Sequence, residues 1–178
     1  MSTYEVHTDG VWKWEIEGNV DKFNIGSFKC MVLRHPEFGH LNGYVGCQSE
    51  DIRAVVESQF VHGGWTFDST RNPDTGEESG LYWLGFDCAH SCDFLPDFKT
   101  NLERSMSQLP EEEREKIEAL FHALDQMTAN FGGGMHQPEN YKTMEFVKEE
   151  IERVVAQTKK TLASTWKGAT YEINSRPQ

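Results

Sequence analysis

The chain is poor in positive charge: 17 Lys and Arg stand against 29 Asp and Glu in 178 residues, for a formal net charge of −12. That shortage argues against duplex nucleic acid as a partner, because duplex affinity comes largely from basic side chains that displace counterions. No run of about 18 apolar residues occurs, so no membrane-spanning helix and no membrane partner is expected. Met1 to Glu5 lack the basic-then-apolar order of a secretory signal, and the expected location is the cytoplasm. Cysteine is scarce, with only Cys30, Cys47, Cys88 and Cys92. Without a secretory route these are expected to be free, inert thiols. Cys88 and Cys92 flank His90, but Cys30 and Cys47 stand too far apart for the paired spacing of a structural zinc site. A His-Glu-x-x-His pair is missing, and Gly132-Gly133-Gly134 follows a helical pattern and lacks the Lys-Ser/Thr of a phosphate loop.

What is present suits one packed domain over 1–178: hydrophobic residues make up 37%, with five Trp and eleven Phe. Residues 1–95 read as β-rich. Trp12, Trp14 and Ile16 alternate with Lys13, Glu15 and Glu17, which predicts a half-buried strand. Phe28 to Leu33 and Leu41 to Cys47 predict two more strands, with His35, Pro36 and Gly39 turning the chain between them. Ser49 is placed to cap a helix whose Ile52, Val55, Val56, Gln59 and Phe60 share a face. Val61 to Phe67 and Leu81 to Asp87 predict an antiparallel hairpin with a long polar loop between them.

Residues 96–163 read as helical: Phe98 to Met106, Pro110 to Phe131, and Asn140 to about Leu162. The Glu111-Glu112-Glu113 run follows Pro110, where carboxylates face the positive end of a helix dipole. An irregular tail is expected over 164–178. The fold class is α+β, a small antiparallel sheet with a long-looped hairpin, packed against two or three helices from the C-terminal half.

The hairpin carries the unusual residues. Gly63 and Gly64 follow His62 within an expected strand, where glycine marks a close approach by a ligand or another backbone. A hairpin symmetric about its loop puts His62 opposite Asp87, with His90 and Asp93 just beyond. Three readings follow. A divalent metal held by His62, Asp87 and His90, with or without Asp93, supports hydrolysis. Alternatively, Trp65, Tyr82 and Trp83 line an organic pocket in which rings stack a base and the Gly63 and Gly64 amides approach phosphates. The plain reading has Asp87 and His90 bonding to backbone and tightening a turn. His35, His40 and His136 lie in turns, His122 falls on a polar helix side, and Arg71 is a loop cation able to fold over an anion.

The middle of the chain resembles a widespread set of short proteins from bacteriophages and bacteria. The resemblance rests on Gly43-Tyr44-Val45-Gly46, on His62-Gly63-Gly64-Trp65-Thr66, on the run from Trp83 through Gly85-Phe86-Asp87-Cys88-Ala89-His90 to Asp93, and on Tyr141 with Phe146-Val147. It covers 43–93 and about 138–158. Residues 48–60 read as a helix where many such proteins have a Pro-Gly-His-Pro loop, and the acidic helix at 110–131 reads as an insertion. The motifs are similar to those of phage proteins that sequester cyclic oligonucleotide or related immune signals, the anti-CBASS and anti-Thoeris sponges. The resemblance implies a viral, immune-evading, nucleotide-binding protein in the host cytoplasm that captures its ligand without cleavage or cofactor, with a homo-oligomer as a candidate assembly. Tyr44, His62, Gly63, Gly64, Trp65, Thr66, Arg71, Trp83, Asp87, His90 and Asp93 would form its ligand site, with Arg53, Arg71 and Lys99 as candidate neutralising cations. The alternatives are the metal-dependent hydrolase and an acidic protein-interaction module built on the 110–131 helix.

Overall fold

A computed structural model describes residues 7–129 and 137–174. Phe131, the glycine run 132–134 and His136 lie outside them, as do the side chains of Lys99 and Met127. The architecture is α+β. Strands β1 (His7–Thr8) and β2 (Val11–Trp12) form a small hairpin, followed by helix α1 (Lys13–Ile16). The main sheet holds β3 (Val20–Ile25), β4 (Phe28–Arg34), β5 (Leu41–Cys47), β6 (Phe67–Arg71) and β7 (Glu78–Asp87), all antiparallel in the order β3-β4-β5-β7-β6. Helix α2 (Glu50–Glu57) follows β5, and α3 (Phe98–Met106), α4 (Glu111–Ala129) and α5 (Met144–Asn174) follow the sheet.

Alternating residues give the sheet two faces. Phe28, Cys30 and Val32 of β4, Leu41, Val45 and Cys47 of β5, and Leu84 and Phe86 of β7 point into the core. There α5 closes over them with Val147, Ile151, Val154 and Val155, and α2 adds Val56. Ser49 caps α2 as its sequence position implies, its hydroxyl accepting from the Ile52 amide at 3.4 Å. Thr143 caps α5 in the same way through the Phe146 amide, and Glu17 Oε2 takes the Met144 amide at 2.8 Å. The other Glu17 oxygen pairs with Arg34 at 3.2 Å and accepts from the Tyr141 hydroxyl, so one buried ion pair ties the N-terminal segment, β4 and the start of α5 together.

The β5–β7 register explains the glycine-rich motifs. Gly43 pairs with Phe86, Tyr44 with Gly85, and Gly46 with Trp83, so each glycine faces an aromatic residue. A Cβ on Gly85 would sit 2.5 Å from the Tyr44 ring, and one on Gly43 2.5 Å from the Phe86 ring. The rings lie across the space the missing side chains leave, a cross-strand packing that fixes register.

Five sequence expectations change. Residues 11–17 are only briefly a strand: Glu15 folds back to accept from the Trp12 amide at 3.1 Å, which opens α1, and the Trp12 and Trp14 rings stack at 4.7 Å. Residues 61–66 form a turn, with strand pairing starting at Phe67. The symmetric hairpin register holds at its tip, where Arg71 pairs with Glu78, but an irregularity between Ser69 and Arg71 then shifts it, and Ser69 faces Trp83. Ser79 anchors the extra residues, its hydroxyl donating to the Thr70 carbonyl and accepting from Trp83 Nε1. Phe60, expected on the buried face of α2, is 78% exposed beyond the helix end. The tail expected from 164 continues α5 to Asn174. Strand β3 is an addition, because its Val20, Lys22 and Asn24 are exposed and leave little hydrophobic pattern.

Gly85→Ala and Gly43→Ala should each lower stability by about 1–3 kcal/mol through overpacking against a ring. Urea unfolding would measure this; a change below about 0.5 kcal/mol at both positions would mean the rings move aside freely.

Candidate functional site

At the C-terminal end of β7 the chain turns through residues 88–93 and brings the expected residues together by a route other than strand pairing. Asp87 Oδ1 accepts from the Ala89 amide at 3.1 Å, and the Asp93 amide donates to the His90 carbonyl at 2.8 Å. These bonds fold the turn so that Asp93, with its side chain 2% exposed, points inward. Its Oδ2 lies 2.8 Å from His62 Nε2, 3.0 Å from the His90 amide and 3.3 Å from His90 Nδ1, while Oδ1 lies 3.3 Å from Lys142 Nζ. Burial pushes the Asp93 carboxyl up, but the His62 bond, the His90 amide and Lys142 outweigh it and hold the group below the usual carboxylate range.

His62 reaches this carboxylate from the 61–66 turn, whose main chain is held separately: the His62 amide donates to Glu150 Oε2 at 3.1 Å. Glu150 in turn pairs with Arg153, which also binds the Phe60 carbonyl. The His62 and His90 rings meet edge to face at 5.2 Å, and Phe146 packs edge to face on His62 at 5.4 Å. Gly63 has φ +67°, and a Cβ there would fall inside the His90 ring. The close approach that this glycine signals is by His90, a neighbour in space supplied by the turn after β7. Gly64 is also left-handed, at φ +94°.

Asp87 stands between this cluster and a second feature. It is 3.9 Å from His90 Nδ1 and also lines a cleft of about 510 Å³ with His35, His40, Asn42, Tyr44 and Thr66. His40 stacks on His35 at 4.8 Å. His35 Nδ1 accepts from the Glu37 and Phe38 amides. Burial, with His35 adding to it, pushes the His40 imidazole down to about 4. His40 Nδ1 and Asn42 Oδ1 are buried and make no well-formed hydrogen bond among the described residues, although the Asn42 side chain is near enough to His40 to favour its protonated form slightly.

The other expected site residues lie apart. Trp65 is half-buried, donates from Nε1 to the Gln59 carbonyl at 3.0 Å and packs on Phe86. Trp83 is buried against Gly46. Arg71 sits at the hairpin tip bonded to the Gly76 carbonyl and paired with Glu78. Arg53 is paired with Asp68 and Glu57, and His122 is exposed. Sequence reasoning missed Lys142 and Asn42. Asn42 carried one signal, a polar residue inside an apolar strand, whereas Lys142 reaches Asp93 only because α5 begins beside it.

Comparison with family models, with curated proteins and with solved structures finds no match.

The His40 shift sets a pH dependence. The unfolded chain takes up this proton below about 6.5 while the folded chain refuses it until about 4, so folding stability is lost as pH falls through that window, by about 3 kcal/mol for this group. His40→Gln should flatten the 4–6.5 limb of a stability-against-pH curve from chemical denaturation. A variant with the same slope as the parent would show that His40 titrates normally.

Proposed function

We propose that the protein captures a small, planar organic ligand rich in hydrogen-bond donors, without converting it, in the cleft beside Asp87. The observation that carries this reading is a pair of buried polar atoms, His40 Nδ1 and Asn42 Oδ1, that make no well-formed hydrogen bond among the described residues and belong to residues lining that cleft. Buried polar atoms are almost always paired, and an orphaned pair at a concave surface is what a ligand would satisfy. The Tyr44 and Phe67 rings and the Thr66 and Asp87 side chains complete a wall suited to an aromatic ring bearing amino groups.

Capture rather than catalysis is favoured by the imidazoles. His40, with its protonation pushed down to about 4, is a weak base at neutral pH. His35 Nδ1 is already occupied by two amides. A nucleotide-derived signal, such as a cyclic oligonucleotide, suits this reading through its bases. Its phosphates would face solvent, because the described residues lining the cleft include no lysine or arginine.

The test is a thermal-shift panel of adenosine, guanosine, a cyclic dinucleotide, a cyclic trinucleotide, ADP-ribose isomers and orthophosphate. A base-containing ligand should raise Tm, orthophosphate should not, and Asn42→Leu and His40→Phe should each remove the rise. Chromatography of ligand released by denaturation should return it intact. No shift with any base-containing compound, or an altered compound on release, would sink the proposal.

A further inference from the structure

We propose that His62, His90 and Asp93 form a binding site for a divalent first-row transition metal, separate from the cleft. Their three donor atoms lie within 4.8 Å of one another. Around an ion with bonds of about 2.1 Å, donors stand about 3.0–3.4 Å apart in octahedral or tetrahedral geometry. Asp93 Oδ2 lies 2.8 Å from His62 Nε2 and 3.3 Å from His90 Nδ1, near that spacing, and the two imidazole nitrogens stand within 4.8 Å of each other, so seating an ion is a matter of reorienting the two rings.

The hydrogen bonding points the same way. Two imidazole nitrogens and the His90 amide converge on the single oxygen Oδ2. The His90 amide is a fixed donor to Oδ2, whereas each ring nitrogen donates in one tautomer and offers a lone pair in the other. An ion bound to Oδ2 takes the lone-pair form of both imidazole nitrogens, and the amide keeps its bond. The site is also built to place His90, since Gly63 leaves out the side chain that would occupy the His90 ring.

Access and charge are suitable. The His62 and His90 side chains are 23% and 34% exposed, so an ion enters from solvent and keeps water on its open side, while buried Asp93 anchors it from beneath. Lys142 on Oδ1 fixes the carboxylate and opposes the ion by charge. Two imidazoles with one carboxylate suit Zn2+, Co2+, Mn2+ or Fe2+ rather than Ca2+ or Mg2+, which prefer all-oxygen shells. The proposed ligand set keeps His62 and His90 of the sequence expectation and takes Asp93, its optional carboxylate, in place of Asp87.

The full-length protein, stripped with chelator, would be titrated with Co2+ and followed by visible d–d absorption, with Zn2+ and thermal unfolding as a second readout. The expected result is saturation at one ion per chain, a raised Tm with Zn2+, and loss of affinity by more than about tenfold in His62→Gln and His90→Gln. Lys142→Met should bind more tightly. His62→Gln decides the matter if the His90 variant fails to fold, because the His62 turn is held by its main-chain bond to Glu150. Absence of d–d bands overturns the proposal, as does binding that survives in His62→Gln. A thiolate charge-transfer band, which would place the ion on Cys92, also overturns it. None of these results depends on whether the cleft holds a ligand.

Discussion

The pairing of glycine with aromatic rings across β5 and β7 is the constraint on which the rest of the fold hangs. Gly43 against Phe86, Tyr44 against Gly85 and Gly46 against Trp83 accept only one register. A slip of one residue would turn the core-facing Leu84 and Phe86 outward. With the register set, Asp87 ends β7 opposite Asn42, and the Cys88 amide bonds to the Leu41 carbonyl at 3.1 Å. The 88–93 turn therefore leaves the sheet at one defined point, and both the cluster and the cleft are built from there.

Asp93 does for the loops what the glycine pairs do for the strands. Through its two oxygens it joins the turn after α2, the turn after β7 and the approach to α5. These segments share no strand pairing, so a buried charge joins the Glu150 and Arg153 bonds to His62 and Phe60 in doing what sheet hydrogen bonds do elsewhere. Such a charge is tolerable in the interior only because cationic or polar groups surround it.

Much of the fold was legible because its signals are local. Strands β4 and β5, the Ser49 cap and the Pro110 start of α4 follow from residues a few places apart. The site was legible in composition but not in wiring. His62, His90 and Asp93 were all candidates, yet the assumed partnership between His62 and Asp87 required a symmetric hairpin, and the irregularity between Ser69 and Arg71 breaks that symmetry. Short elements such as α1 were hidden because two stacked tryptophans mimic strand alternation. Contacts such as Lys142 with Asp93 depend on helix docking, which no local pattern encodes.

The cysteines add a chemical consequence of the core. Cys30, Cys47 and Cys88 are buried, and burial lifts the Cys30 and Cys47 thiols to about 12 and about 11, leaving almost no thiolate at neutral pH. Cys30 and Cys47 sit on adjacent strands beneath α5, and Cys88 lies where β7 leaves the sheet. Reagents that attack thiolates can reach these three only when that layer opens. Cys92, exposed and one residue before Asp93, stays open to them throughout. The protein therefore carries an internal clock: one thiol that reports on the native surface, and three whose reaction times the opening of the interior.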